Sequence, residues 1–170
     1  IVLMCLLYNG KAKHHYILGP LTMGGCRGLN LLLGVAVVAV VAAWWYVALV
    51  PIVYIAAVTN ISRGEVYGNN KHALLVSLIL YTIVVVTLVY VTLKSHHYSA
   101  FIFICFFVWM IFRPLIKALQ TLDPKDVKKS VKFGVLALIL MNASWVAISG
   151  FWPLALFLIA TLPISIVLAK

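Results

Sequence analysis

Long apolar runs are the feature of this 170-residue chain that most constrains its fold. Six runs have about the 20 residues that a helix needs to cross a hydrocarbon core of about 30 Å, and a shorter run precedes them. The short run covers residues 1–8, and the others cover 17–42, 44–61, 73–93, 98–118, 131–149 and 152–169. Segments such as VAVVAVVAA lack the alternating polarity of membrane β-strands. The sequence therefore predicts an all-α, polytopic transmembrane helix bundle, with residues 1–170 in a single transmembrane domain.

Composition excludes a soluble domain and a nucleic-acid-binding function. The chain is 65% hydrophobic and only 9% charged, with 13 Lys and Arg residues, 3 Asp and Glu residues and a formal charge of +10. No stretch outside the apolar runs is long enough for a domain that binds nucleic acid. The excess basic charge must face lipid headgroups, cytosol or an anionic ligand. We therefore expect a multi-pass integral membrane protein with membrane lipids as partners, and the sequence gives no indication of its oligomeric state.

The basic residues predict which loops face the cytoplasm, where Lys and Arg accumulate. When alternate loops are assigned to opposite sides, eleven of the 13 basic residues fall on one side. That side holds loops 9–16, 62–72 and 119–130, and these are predicted to be cytoplasmic. Its basic residues are Lys11, Lys13, Arg63, Lys71, Arg113, Lys117, Lys125, Lys128, Lys129, Lys132 and Lys170. Lys94 lies on the other side, and Arg27 falls inside an apolar run.

The Asp-Pro sequence in the segment 119–130 is typical of a helix start. Asp123 is predicted to be the N-cap, Pro124 the first helical residue, and Asp126 a favourable charge near the N-terminus of the helix. The alternative is that Asp123 and Asp126 bind a cation, which the lysines nearby would repel. Pro114, Pro153 and Pro163 are predicted to kink or start helices.

The cysteines and histidines do not have the spacing of a metal site. Cys5, Cys26 and Cys105 lie in separate apolar runs and are predicted to be small buried hydrophobic residues. The pairs His14-His15 and His96-His97 are predicted to lie on opposite sides of the membrane. We therefore expect no histidine or cysteine metal centre.

Arg27 is a charged residue about ten positions into its apolar run. An unpaired charge near mid-membrane costs at least about 2.5–3.5 kcal/mol, so such a residue normally faces a cavity or a partner. Helical spacing places Met23, Asn30 and Gly34 on the same face. Arg27 and Asn30 are predicted either to line a ligand cavity or to form a structural hydrogen bond between helices. Gly24 and Gly28 form a GxxxG pair, rotated from that face, which is predicted to let a neighbouring helix pack closely.

Two further polar segments lie on the predicted cytoplasmic side. In Thr59–Gly68, Glu65 lies beside Arg63, and Asn60 precedes Arg63 by one helical turn. This group suits either a hydrated metal–phosphate or an ordinary capped helix end with an exposed salt bridge. In Tyr8–Tyr16, Lys11 and Lys13 suit either a phosphate or the anionic surface of the membrane.

Three segments together resemble the UbiA superfamily of intramembrane prenyltransferases, and within it the UbiA-like branch called EboC. They are LYNGKAKHHYILGPLTMGGCRGLNLLLG from Leu7 to Gly34, TNISRGEVYG from Thr59 to Gly68, and the final LPISIVLAK. The resemblance covers essentially the whole chain, which corresponds to the C-terminal part of a full-length member. It implies a helical bundle around a cavity that opens toward the membrane and the cytoplasm, and a bacterial plasma membrane as the location.

The resemblance also implies a reaction and its cofactor. Members use two Asp-rich motifs to hold Mg²⁺ against a prenyl diphosphate, and Lys and Arg residues assist the diphosphate as it leaves. On this resemblance the protein is expected to be a transferase that moves a prenyl (alkyl) group to a lipophilic acceptor. The first Asp-rich motif of the family would lie before Ile1.

Carried over by residue, SRGEVYG occupies the place of the second Asp-rich motif of the family. Glu65 takes the position of its last aspartate, and Ile61 the position of its first, with Asn60 as the nearest oxygen ligand. The resemblance therefore implies Glu65 and Asn60 as metal ligands. Tyr8 with Lys11 or Lys13 resembles the tyrosine–lysine pair of the family, with a spacing that differs by one residue.

The resulting candidate site has three parts. Catalytic residues are expected at Glu65, Asn60 and Tyr8, and polar cavity residues at Asn30 and Ser62. The expected diphosphate-binding residues are Arg63, Lys11, Lys13, Arg27 and Lys71. One function class is thus a magnesium-dependent prenyltransferase. The other is a non-catalytic UbiA-like protein that binds or helps to transport an amphiphilic metabolite, using the same cavity and the same cations.

Overall fold

The computed structural model describes residues 1–10, 12, 15, 18–38, 45–67 and 71–168, with side chains described except at 35, 37, 38 and 63–67. This part of the chain is all helical and contains no strand. A short 3₁₀ helix, Trp45–Ala48, leads directly into α3. The α-helices are α1 (Val2–Gly10), α2 (Leu18–Val38), α3 (Leu49–Tyr67), α4 (Lys71–Ser95), α5 (Ala100–Thr121), α6 (Pro124–Ile148), α7 (Trp152–Ala160) and α8 (Leu162–Leu168).

Four helical segments of the described chain are long and apolar enough to cross a membrane. They are Trp45–Ser62, Lys71–Ser95, Ala100–Thr121 and Pro124–Ile148. The last apolar run, 152–169, is not one continuous helix as expected, because the chain turns at Thr161 between α7 and α8. Pro163 has no N–H to continue the helical ladder, and the Thr161 N–H bonds the Leu158 carbonyl at 3.1 Å instead.

Two predicted cytoplasmic loops are shorter than expected because the helices beside them are longer. The predicted loop 62–72 is helical as far as Tyr67, and α4 begins at Lys71. In the predicted loop 119–130, only Leu122 and Asp123 separate α5 from α6. Polar residues thus continue both helices beyond the apolar runs.

The N-terminus of α6 has the predicted capping geometry. Asp123 has an extended backbone, its carboxylate accepts the Lys125 N–H at 2.9 Å, and Pro124 occupies the first turn. Asp126 lies in the same turn and bonds Lys117 Nζ at 2.9 Å. Both acids are therefore engaged in helix capping and an ion pair, and the predicted helix start is confirmed.

Aromatic side chains join α3, α4, α5 and α6 in the core. The Tyr54 ring stacks on Tyr81 at 5.2 Å between centroids and lies 5.5 Å from Phe107. The Tyr54 hydroxyl donates to the Gly134 carbonyl at 2.6 Å. All four residues are buried, so the Tyr54 hydroxyl is satisfied inside this junction of four helices, whereas the buried Tyr81 hydroxyl has no hydrogen-bond partner among the described residues.

The outer surface of the bundle is apolar. Large side chains that face outward include Ile79, Val86, Ile102, Phe106 and Trp109, each about 57–62% exposed. A contiguous apolar surface of this kind is stable in contact with lipid chains and is unfavourable in water. Together with the four long apolar helices, it indicates an integral membrane protein.

Candidate functional site

The GxxxG pair holds α2 close against the start of α3. A Cβ built on Gly28 would lie 2.7 Å from the Ala48 carbonyl oxygen, and one on Gly24 would lie 2.9 Å from the Ile52 Cα. Any side chain at these two positions would collide with the backbone of its neighbour. The expected close packing is confirmed, and it fixes the rotation of α2 about its own axis.

That rotation presents Arg27 to two cavities of the structure. One cavity, about 340 Å³, lies between α1 and α2 and is lined by Cys5, Tyr8, Met23, Arg27 and Asn30 among others. Met23, Arg27 and Asn30 share one helix face, as their spacing predicts. The structure therefore brings Tyr8 to the same cavity as Arg27 and Asn30, two candidates drawn from a different segment.

The second cavity, about 170 Å³, lies where α2 meets α3 and α6. Arg27, Asn30 and Gly34 line it from α2, Pro51 from α3 and Asn142 from α6. Asn142 was not predicted from the sequence. Its signal was nevertheless present, because an amide in the middle of the apolar run 131–149 is costly in lipid unless it finds a polar partner or a cavity.

Among the side chains that the structure describes, no acid lies near enough to neutralise Arg27. Asp126 is 16 residues before Asn142 in α6, about 24 Å along the helix, and Glu65 is 14 residues after Pro51 in α3, about 21 Å along it. Asn142 and Pro51 line the cavity, so these distances separate the acids from the guanidinium as well. Asp123 lies farther out than Asp126. Within the described part of the chain, Arg27 is thus a positive charge without a carboxylate partner.

The polar groups around Arg27 remain available to a ligand. Within the described part of the chain, no hydrogen bond involves the side chains of Arg27, Asn30 or Asn142, and all three are exposed to the cavities. A guanidinium offers five N–H donors and an amide two more. The arrangement is therefore rich in donors and suits an anionic group with several oxygen atoms.

The second predicted group, around Asn60, joins two helices. Asn60 Nδ2 donates to the Ala73 carbonyl at 2.7 Å and to Ser77 Oγ at 3.1 Å. Ser77 Oγ in turn donates to the Ala57 carbonyl at 3.1 Å or to the Ala73 carbonyl at 2.9 Å. This network links α3 to α4. Ser62, predicted to be a cavity residue, donates to the Thr59 carbonyl of its own helix at 2.7 Å.

Only part of the expected magnesium site is described, because the side chain of Glu65 lies outside the described set. Ile61, where the resemblance places an aspartate, is fully buried in the core. Asn60 uses its amide nitrogen to hold α4 and can offer one neutral oxygen. Mg²⁺ prefers carboxylates and water in near-octahedral geometry. No cluster of three His, Cys, Asp or Glu side chains is found within the described ranges.

The remaining candidates are placed only in part. Arg63 and Glu65 lie on α3, but their side chains are outside the described set, and Lys11 and Lys13 fall on residues that are not described. Lys71 is exposed at the first residue of α4. Asn60 lies nine residues after Pro51, about 14 Å along α3, so it does not join the Arg27 cavities. The roles assigned to these six residues stay predictions.

The cysteines are less buried than the sequence predicts. Cys5 and Cys105 are exposed and Cys26 is partly exposed. Cys5 Sγ lies 3.5 Å from Cys26 Sγ, because α1 packs along α2. The expectation of buried cysteines is wrong here, since these side chains face the lipid-exposed surface and the first cavity.

No family model, curated protein or solved structure matches the chain.

Proposed function

We propose that the protein binds an amphiphilic molecule with an anionic head, and that Arg27 holds the head while the apolar helices contact the tail. The observation that carries this proposal is the unneutralised Arg27 guanidinium shared by two cavities with Asn30 and Asn142. On the membrane position that its apolar run predicts for α2, an unpaired charge near mid-membrane costs at least about 2.5–3.5 kcal/mol. A bound anion offsets that cost, and a phosphate matches the planar fork of arginine.

The tail of the ligand is expected to be a hydrocarbon. Met23, Leu31, Pro51, Leu138 and Met141 line the same cavities as the polar groups. A small inorganic anion would leave these apolar walls unfilled, whereas an isoprenoid or acyl chain would cover them. Prenyl diphosphates belong to this class, as do lipids with a phosphate head.

A second candidate function is transfer of the prenyl group from such a diphosphate to a lipophilic acceptor. The observation that favours it is the position of Tyr8, whose expected counterpart in the resembled family acts together with a lysine. Tyr8 reaches the cavity that holds Arg27, so its hydroxyl can contact a head group bound there. The side chain of Glu65, the expected metal ligand, lies outside the described set, so the primary proposal is binding, which rests on the described Arg27 cavities.

The test is direct binding of geranylgeranyl diphosphate to the purified protein in detergent, with and without Mg²⁺. Binding that is lost in Arg27→Gln, weakened in Arg27→Lys, which keeps the charge without the planar fork, and unchanged in Lys94→Gln would support the proposal. Lys94→Gln is the control, because Lys94 lies in the last turn of α4 and does not line either Arg27 cavity. Equal binding by Arg27→Gln and the parent protein would refute the role of Arg27.

Release of inorganic diphosphate separates the two functions. In the same samples, aromatic acceptors are added after the binding step and free diphosphate is measured. Release that requires both Mg²⁺ and an acceptor supports transfer, and the Tyr8→Phe variant is then compared with the parent protein. Binding without release supports a protein that holds or passes on the amphiphile.

The sidedness of the protein is part of the same proposal. We expect the ends of α5 and α6 that meet at Asp123 to face the cytoplasm, because basic residues collect there. The turn between α4 and α5, which holds His97, and the turn between α6 and α7, which holds Gly150, lie at the other end of these helices. They are close together, because a Cβ built on Gly150 would lie 3.0 Å from His97 Nε2. This contact agrees with the alternation of loops on which the expected topology rests.

A further inference from the structure

A second, separate cationic groove lies between α5 and α6. It has a volume of about 490 Å³ and is lined by Trp109, Arg113, Lys117, Asp126, Lys129 and Phe133 among others. Three basic side chains and one acid therefore surround it. The groove lies where α5 ends and α6 begins, whereas the Arg27 cavities lie beside Asn142, about 24 Å along α6 from Asp126.

The single acid of the groove is already engaged. Asp126 Oδ1 bonds Lys117 Nζ at 2.9 Å, and Oδ2 accepts the Thr121 hydroxyl at 3.0 Å. Asp126 therefore neutralises Lys117 and leaves Arg113 and Lys129 unmatched. Lys117–Asp126 is the one ion pair between side chains in the described part of the protein. The groove accordingly carries a net positive charge that suits a phosphate.

The two unmatched cations lie over aromatic rings. The guanidinium carbon of Arg113 is 5.4 Å from the centroid of the Trp109 ring, and Lys129 Nζ is 6.0 Å from that of Phe133. Such contacts hold a cation in place while its N–H donors stay free. Tryptophan is also enriched where a membrane protein meets lipid headgroups.

An apolar stripe leads into the groove along α5. Ile102, Phe106 and Trp109 precede Arg113 at intervals of four, three and four residues, so all four side chains share one helix face. The three apolar members are about 57–62% exposed. The stripe extends about 16 Å along the helix axis, which gives an acyl chain a continuous surface below the cations.

From these observations we infer that the groove between α5 and α6 binds an anionic phospholipid, whose phosphate contacts Arg113 and Lys129 and whose acyl chain follows Phe106 and Ile102. A free phosphate shares the head-group chemistry but leaves the apolar stripe uncovered. The occupant is therefore a lipid of the surrounding membrane, bound at a defined position and separate from the amphiphile at Arg27.

The test counts lipids on the detergent-solubilised full chain by native mass spectrometry during titration with phosphatidylglycerol. Replacing both unmatched cations, in Arg113→Gln/Lys129→Gln, is expected to weaken binding about 30-fold, because each basic residue near an anionic lipid contributes about a factor of five. The matched control is Lys125→Gln/Lys128→Gln. It removes the same charge from exposed positions at the same end of α6, outside the groove, and is expected to bind within about twofold of the parent.

Two ligand controls identify the head and the tail. Phosphatidylcholine, which has no net charge, is expected to bind at least tenfold more weakly than phosphatidylglycerol. Inorganic phosphate is expected not to displace the lipid. Displacement by equimolar phosphate would overturn the lipid assignment, and equal weakening in both double variants would show a diffuse surface charge instead of a site.

Asp126→Asn keeps the proposal testable should the double variant fail to fold. This substitution releases Lys117 and raises the positive charge of the groove by one. Phosphatidylglycerol binding is expected to tighten about fivefold. Unchanged or weaker binding by a folded Asp126→Asn protein would contradict the inference.

Discussion

Replacing Gly28 by alanine tests the packing that orients Arg27. The added Cβ would lie 2.7 Å from the Ala48 carbonyl oxygen, whereas ordinary contacts begin at 3.4 Å, so the overlap is about 0.7 Å. The obstacle is backbone, which has no side-chain rotamer to change, so α2 must move away from the start of α3. Overpacking of a close contact costs about 1–3 kcal/mol, and we expect Gly28→Ala to lose that amount of stability.

Gly34→Ala is the matched control on the same helix. Nothing lies within 4 Å of a Cβ at Gly34. The substitution removes a flexible residue from a helix, so its stability is expected to be unchanged or up to about 1 kcal/mol higher. Unfolding of both variants in mixed micelles, followed by circular dichroism during titration with a denaturing detergent, gives the comparison.

The stability of Gly28→Ala relative to Gly34→Ala tests whether α2 packs as closely as described. A Gly28→Ala protein as stable as Gly34→Ala would show that α2 does not pack against the start of α3 as described. Failure of Gly28→Ala to fold, while Gly34→Ala folds, would be the expected effect in its extreme form. Because the displacement would also move Arg27, we expect weaker diphosphate binding by any folded Gly28→Ala protein.

Three other regions give independent predictions. Asp123→Ala is expected to lower stability by about 1 kcal/mol in the same unfolding assay through loss of the N-cap, and Asp123→Asn to retain most of it; equal losses would refute capping. Mild oxidation is expected to join Cys5 to Cys26, seen as a block to thiol alkylation that Cys5→Ser abolishes; free alkylation of both after oxidation would contradict their 3.5 Å separation. In intact cells of a cysteine-free variant, an impermeant maleimide is expected to label Lys94→Cys and not Lys125→Cys; the reverse pattern would invert the topology.

The order of the main helices followed from hydropathy, although the run 152–169 forms two helices, α7 and α8, where one was expected. Runs of about 20 apolar residues leave the backbone no other way to satisfy its hydrogen bonds in lipid, so helix positions were predictable to within a few residues. The residues at which helices begin and end were less predictable. Polar residues such as those of 62–67 and 124–130 continue α3 and α6 beyond the apolar runs, and apolar length alone carries no signal for this.

The Arg27 face was also predictable, because helical periodicity fixes which neighbours it shares. The partners across the cavity were not. Asn142 lies 115 residues away in sequence, and it reaches the same cavity as Arg27 because α2 and α6 both pack against α3. Periodicity places residues on a face of one helix but does not say which other helix that face meets.

The Asn60 segment shows that polar residues predicted to bind a ligand can instead join two helices. Its polar residues suggested a ligand site, yet Asn60 Nδ2 donates its hydrogen bonds to the Ala73 carbonyl and to Ser77 Oγ. A buried amide serves equally well to bind a ligand or to join two helices. The sequence around Asn60 could not distinguish these uses, because the acceptors come from α4.

The most direct test of the Arg27 site is a binding cycle that compares two ligands in two proteins. Affinities of geranylgeranyl diphosphate and of geranylgeraniol, which lacks the charged head, are measured for the parent protein and for Arg27→Gln. We predict that the parent prefers the diphosphate, that Arg27→Gln loses most of this preference, and that both bind the alcohol equally well. An unchanged preference for the diphosphate in a folded Arg27→Gln protein would contradict the account.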